Sequence, residues 1–291
     1  MNIIKKIKKY FYDFDYELPN LVVITGQKCT LKCKNCANFS PYHSKELDFY
    51  DISKIISDLK NITKRLKYIQ HMQVQGGDIF LHKDVIRLLN YIKNEEKIRE
   101  CVVATNSIII PKKEILEILS DKKFVVRFSS YGVANELNEK KLEKICNEFN
   151  INHYVYLFAN GNSSWADCGG IDMKKHPLSL TKENYKKCLF KVCLTLENGI
   201  LSRCSRSTVA HKVQHFRIKK QDFVNVRSPF FNIHKLKQFV VENENSEKGM
   251  VQACFYCNGT GGKMIVAGEQ ISKEESELLI NKNNLIQSFK K

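Results

Sequence analysis

Residues 21–36 read Leu-Val-Val-Ile-Thr-Gly-Gln-Lys-Cys-Thr-Leu-Lys-Cys-Lys-Asn-Cys. The first five are aliphatic or β-branched and predict a strand, Leu21–Thr25. Cys29, Cys33 and Cys36 follow it directly, in Cys-x3-Cys-x2-Cys spacing. Three thiolates this close hold three irons of a 4Fe–4S cube and leave the fourth iron open to a small molecule. In parallel α/β folds, function gathers in the loops after the carboxyl ends of strands, and this cluster lies in the first such loop. Zinc is the competing occupant, but it takes four ligands, and the next ligand type is His43, seven residues beyond Cys36.

Downstream of this motif the pattern alternates between short β-branched runs and amphipathic stretches. Helix is expected at Ile52–Leu66, Lys83–Asn94, Lys112–Ser120 and Glu139–Phe149. Strand is expected at Met72–Gln75, Cys101–Thr105, Phe124–Ser129 and His153–Tyr156. Such alternation predicts right-handed βαβ units and a parallel sheet of five or six repeats, short of the eight of a closed barrel. The rhythm ends after about residue 158 in an Asn-, Ser- and Gly-rich loop, 160–170. Asn198-Gly199 then lies between Val192–Glu197 and Ile200–Cys204, a strong hairpin signal, and a helix is expected around Ile233–Glu242. Upstream, Ile3, Ile4, Ile7, Phe11 and Phe14 make a helical apolar stripe among lysines. The chain therefore divides into an amphipathic helix (1–19), an α/β core (20–180) and a smaller C-terminal α+β domain (181–291).

Composition narrows the function. The 291 residues are 43% hydrophobic, enough for a sizeable core. No apolar run approaches the roughly 20 residues of a spanning helix, and no signal peptide is apparent, so a cytoplasmic location is expected. In a reducing compartment eleven cysteines are read as metal ligands or reactive thiols rather than disulfides. The net charge of +16 is spread as lysine pairs over helices, without a basic block interleaved with aromatics, and does not point to nucleic acid.

The Cys29–Cys36 motif, placed after the first strand of a βα series, resembles the radical S-adenosylmethionine (SAM) superfamily. The resemblance implies a partial (β/α)6 barrel. It also implies a 4Fe–4S cluster on Cys29, Cys33 and Cys36 whose open iron binds SAM. Reductive cleavage of SAM then yields a 5′-deoxyadenosyl radical that abstracts hydrogen from a substrate. Asn35 stands where family members often carry an aromatic residue. Gly76-Gly77-Asp78, after the second strand, is similar to the family's Gly-Gly-Glu motif, with Asp78 one methylene short. Thr105 and Asn106 end the third strand as in similar enzymes. Arg127 and Ser129 alternate on the fourth and share a face; their counterparts meet SAM's ribose and carboxylate.

Cys188-x10-Gly199-x4-Cys204, followed by Cys254-x2-Cys257, resembles the auxiliary-cluster module called Twitch, the short form of the SPASM domain. It implies a second 4Fe–4S cluster ligated by Cys188, Cys204, Cys254 and Cys257. Hairpin register places Cys193 opposite Cys204, so Cys193 is a rival to Cys188. Cys168, beside Trp165 and Asp167, is read as a catalytic thiol that returns a hydrogen atom to a substrate radical. The wider resemblance is to uncharacterised members of bacterial polysaccharide-biosynthesis clusters. It implies oxidation or epimerisation of a small carbohydrate-like substrate, including a nucleotide- or phosphate-linked sugar, with flavodoxin or ferredoxin as electron donor. A peptide-modifying radical SAM enzyme and a zinc-stabilised nucleic-acid-binding protein are the alternatives.

Overall fold

The computed structural model of the chain describes residues 11–156, 164–240, 247–272, 274 and 275. Five parallel strands form its centre: β1 (Asp13–Ile24), β2 (Leu66–Gln75), β3 (Ile98–Thr105), β4 (Phe124–Ser129) and β5 (His153–Tyr156). Helices Ile52–Thr63, Val85–Asn94, Lys113–Leu119 and Glu136–Glu148 connect them. The first helix begins where the Asp51 side chain accepts from Ser53 N, capping a free amide. It buries Ile52, Ile55, Leu59 and Ile62, one stripe at helical spacing. Each such side chain contributes about 1.5–3 kcal/mol when taken out of water. The second helix does the same with Val85, Leu88, Leu89 and Ile92.

β6 (Ser164–Ala166) pairs antiparallel with β10 (Met264–Val266) in a separate two-stranded sheet. β7 (Thr195–Glu197), β8 (Ile200–Ser202) and β9 (Phe223–Asn225) join the main sheet, whose order is β5-β4-β3-β2-β1-β7-β8-β9. A sixth parallel strand is thus present, but it is β7 and it lies beside β1, with Ile24 opposite Glu197. The expected hairpin forms, with Asn198 and Gly199 at φ 45° and 83° and Thr195 opposite Ser202. Leu194, Leu196, Leu201, Val226 and Leu236 belong to the same core as the βα units, so sheet and core both continue past residue 180.

The N-terminal expectation needs correction. Residues 1–10 lie outside the described residues, but Phe14, assigned to the helical stripe, is in β1 and 61% exposed. β1 begins early because Asp13 N donates to Arg65 O and Asp13 pairs with Leu66. Pro19 is tolerated there because β7 pairs only with Val22–Ile24 of β1. Among the described residues no helix is long and apolar enough to cross a membrane.

The two faces of the sheet differ. Val23, Val74, Val103 and Val126 are buried in the core. The opposite face carries Gln73, Gln75, Arg127, Ser129, Tyr154 and Tyr156, with Arg127 in register between Ala104 and Tyr154. This polar face, ending in the cysteine loop, is the platform for the site.

Candidate active site

The loop after β1 carries the three thiols. Cys36 N donates to Cys33 O, Phe39 N to Cys36 O, and the Tyr42 hydroxyl to Lys34 O at 2.6 Å. The sulfurs receive donors from three places. Leu31 N lies 3.5 Å and Asn106 Nδ2 3.3 Å from Cys29 Sγ, while Gln270 Nε2 lies 3.3 Å from Cys33 Sγ. Burial, with the nearby Cys36, pushes the Cys29 and Cys33 thiols up to about 12. Among the described residues no group of His, Cys, Asp and Glu is gathered as tightly as a single ion requires. Both His43 ring nitrogens sit 3.0 Å from backbone carbonyls, those of Gln27 and Ser44, so the imidazole does not complete a zinc site.

The Gly76-Gly77-Asp78 turn works differently from the sequence expectation. Its glycines admit the chain's own cysteine loop. A Cβ on Gly76 would lie 2.3 Å from Gly26 O, and one on Gly77 2.0 Å from Lys28 O. Gly77 N donates to Gly26 O and Asp78 N to Lys28 O, at 3.0 and 2.8 Å. Asp78 is buried, and its carboxylate is engaged within the protein. Oδ2 accepts from Thr105 Oγ1 and Asn106 N, and Oδ1 from Phe80 N. Burial pushes its pKa up despite these three donors. Asp78 therefore fastens β2 to β3 instead of presenting itself to an ammonium ligand.

Thr105 and Asn106 belong to the same network. Asn106 Nδ2 bridges Cys29 Sγ and Thr30 Oγ1, and Asn106 O accepts from Asn135 Nδ2. Asn135 also donates to Ser129 O, tying the end of β4 to that of β3. Arg127 donates to Gln73 Oε1 and lies over the Tyr156 ring, while its buried Nε has no partner. Among the described residues no carboxylate pairs with it, so an anionic ligand fits there.

The second group of cysteines comes from three segments. Cys188 ends helix Leu178–Lys187, Cys204 caps helix Ser205–Val213, and Cys254 lies within, and Cys257 just after, the 3-10 turn Gln252–Tyr256. All four line one small cavity with Tyr185 and Arg206. Cys193 does not line it. The hairpin strands stop at Thr195 and Ser202, and the chain at Cys193 closes a 3-10 turn, so the projected pairing with Cys204 is lost. Burial, with the neighbouring Cys188, pushes Cys204 up to about 12. Cys257 is instead drawn down, first by a hydrogen bond from Cys168 and then by the charge of Arg206.

Cys168 is buried, and its carbonyl accepts from Asn258 N at 3.2 Å, which sets its backbone beside Cys257. Arg206 is 3% exposed, donates to Gly169 O at 2.7 Å and lies 4.1 Å over the Phe39 ring. Its Nε has no partner, and no carboxylate among the described residues balances it. A buried cation without an anion is costly, and a thiolate-ligated cluster in the adjacent cavity supplies the negative charge. Phe39, three residues after Cys36, packs with Val209, Ala253 and Cys254, so one apolar cluster joins the two cysteine groups.

Gln270, Asn135 and Arg206 were not singled out by the sequence. Gln270 lies 237 residues from the sulfur it contacts, and no spacing signals it.

Residues 23–154 match the sequence profile of the Radical SAM superfamily. No curated protein matches the chain. Among solved structures, anSMEcpe with bound AdoMet is similar at 11% identity, TM-score 0.55, over 95% of this chain and 99% of that one. BtrN in complex with AdoMet and 2-DOIA is similar at 13% identity, TM-score 0.51, over 88% and 98%. Streptococcus suis SuiB bound to S-adenosylmethionine matches at 21% identity, TM-score 0.39, over 52% of this chain. The chain spans 36% of the length of SuiB. At these identities the likeness is one of fold.

Proposed function

We infer, from the match of residues 23–154 to the Radical SAM superfamily, an enzyme with a 4Fe–4S cluster and S-adenosylmethionine as cofactors that oxidises an alcohol carbon of a small carbohydrate-like substrate. When bound, the cofactors supply a 5′-deoxyadenosyl radical that removes a hydrogen atom from that carbon. The observation that carries the reading is the cavity lined by Cys188, Cys204, Cys254 and Cys257 beside Arg206. Four thiolates close a second 4Fe–4S cube and leave no position for substrate, so such a centre moves electrons. Oxidation needs that outlet: after the hydrogen atom, the substrate gives up a proton and one further electron. Epimerisation needs a hydrogen donor instead, the role in which Cys168 is the alternative reading.

The chain's residues divide the work. Cys29, Cys33 and Cys36 ligate the first cluster, with Asn106, Gln270 and the Leu31 amide donating to their sulfurs. Gly76 and Gly77 make room for the cysteine loop, and the unpartnered Nε of Arg127, with Ser129, meets SAM's carboxylate and ribose. Asp78 and Thr105 hold strand ends in place. Gln73, Gln75, Tyr154 and Tyr156 give a hydroxyl-rich substrate a polar wall, and the net charge of +16 favours a phosphate- or nucleotide-linked form. A cytoplasmic flavodoxin or ferredoxin supplies the initiating electron.

Anaerobically purified protein is expected to be brown, with about eight irons per chain, two cubes of four. Incubated with dithionite, SAM and a panel of carbon-deuterated sugars and sugar nucleotides, it should move label into 5′-deoxyadenosine and form the carbonyl product. Zinc in place of iron sinks the enzyme reading. Label transfer with inverted, unoxidised product replaces oxidation with epimerisation, and turnover with precursor peptides alone overturns the carbohydrate substrate.

A further inference from the structure

The residues after β10 return to the first cysteine loop. The chain turns at Gly268, φ 72°, where an added Cβ would stand 2.6 Å from Tyr131 Cβ. It then runs antiparallel to the loop. Cys33 bridges Gln270, Lys34 N donates to Glu269 O at 2.7 Å, and Ile271 N donates to Lys32 O at 2.9 Å. Ile271 is buried in the apolar cluster with Phe39 and Tyr42, which fastens the segment beyond the bridge. The ion pairs of Lys34 with Glu269 and Glu275 are exposed and add little. The Gln270 side chain reaches across this short ladder. Its Oε1 accepts from Lys32 N at 2.6 Å, and its Nε2, which carries two hydrogens, donates to Gly268 O at 2.5 Å and to Cys33 Sγ at 3.3 Å. These partners fix the orientation of the amide. With oxygen and nitrogen exchanged, the Lys32 N–H would face an NH2 group and Gly268 O would face an oxygen. Cys33 is 6% exposed, so little water competes for its sulfur.

We propose that Gln270 is a positioning residue of the SAM-binding cluster: its amide donates to Cys33 Sγ and raises that cluster's reduction potential, so the segment that follows the second cysteine group governs how readily the first is reduced. The inference rests on the reading of Cys33 as a ligand of that cluster. A donor to a ligating sulfur withdraws electron density and stabilises the more negative, reduced state. Asn106 Nδ2, on Cys29 Sγ, acts in the same direction from the end of β3. The cluster takes one electron from an external donor, a flavodoxin or ferredoxin, and no bond is made or broken at Gln270.

The test is a redox titration of the full chain, reconstituted with iron and sulfide and followed by electron paramagnetic resonance. The SAM-binding cluster is the one whose signal changes when SAM is added to its open iron. Gln270→Leu removes the donor without adding charge. It should keep the wild-type iron content and move the midpoint of that signal to more negative values. Gln270→Glu keeps an acceptor for Lys32 N but has no donor, and should shift in the same direction. An unchanged or more positive midpoint in Gln270→Leu, with the iron retained, overturns the proposal. Where Gln270→Leu alone loses the cluster, the midpoint of Gln270→Glu decides by the same criterion. Loss of the cluster from both variants makes Gln270 a structural clip and also overturns the proposal. Cys33→Ala should lose the SAM-responsive signal; its retention there refutes the ligand assignment itself, an outcome distinct from an unchanged midpoint.

Discussion

Replacing Gly77 by alanine separates two explanations of the Gly-Gly-Asp turn. Its backbone is not in the left-handed region, so an added methyl group strains no torsion, and the effect is steric. The new Cβ would stand 2.0 Å from Lys28 O, and the two must separate by about 1 Å to reach the 3.0 Å floor of real contacts. Lys28 O also accepts from Asp78 N at 2.8 Å, and a shift of that size breaks the bond. Overpacking of this kind costs about 1–3 kcal/mol, and the lost hydrogen bond about 1 kcal/mol more. The displaced carbonyl belongs to the residue before Cys29, so the cost falls on the cluster loop. Gly77→Ala should therefore lower the thermal midpoint and the iron content together. Gly170→Ala, where an added Cβ meets nothing within 4 Å, should change neither. Iron content, thermal melting and the KM for SAM would be measured on both variants. If Gly77→Ala keeps wild-type iron and melting but binds SAM poorly, the glycine faces the ligand and the steric argument is wrong.

The second cysteine group offers a simpler comparison. Cys188→Ser should cost about four irons per chain while Cys193→Ser retains them, because only Cys188 lines the shared cavity; the opposite pattern in an iron assay would reverse the assignment. His211 makes a pH-dependent contribution. Burial, and then the charge of Lys212, hold its pKa below 6.5, and its buried Nδ1 has no partner. The unfolded chain therefore binds the extra proton first, and stability should fall as pH drops through about 6.5 toward the folded value. His211→Gln should flatten the difference in thermal midpoint between pH 7.5 and 5.5; an equally steep fall would place the titrating group elsewhere.

What the sequence disclosed and what it hid follow one physical division. β4 and β5 were readable to the residue, because β-branched runs bounded by helices reflect local preference and burial together. The early part of β1 was not. Phe14 falls at helical spacing with residues upstream of it, yet the strand at Asp13–Asn20 exists because β2 is there to pair with it. The pairing of β7 with β1 was equally hidden, since Thr195-Leu196-Glu197 says nothing about a partner some 170 residues away. Cysteine spacing located both thiol groups, but the amides that address the sulfurs, Asn106 excepted, came only from the fold.

The same division explains why Arg206 escaped notice among 47 basic residues. Its sequence context is ordinary; its burial is not. A guanidinium at 3% exposure, stacked on Phe39 and lacking any described carboxylate, can be held in the fold only if its environment supplies negative charge. The nearest source is the four-cysteine cavity that it lines, and only as thiolates do those cysteines carry charge. Phe39 meanwhile continues directly from the first cysteine loop. Loading the second cavity thus settles a cation that packs against the first loop, and the apolar cluster around Phe39 makes the two centres a single packed unit. A chain deprived of the second cluster should consequently hold its first cluster less firmly, although the two share no ligand.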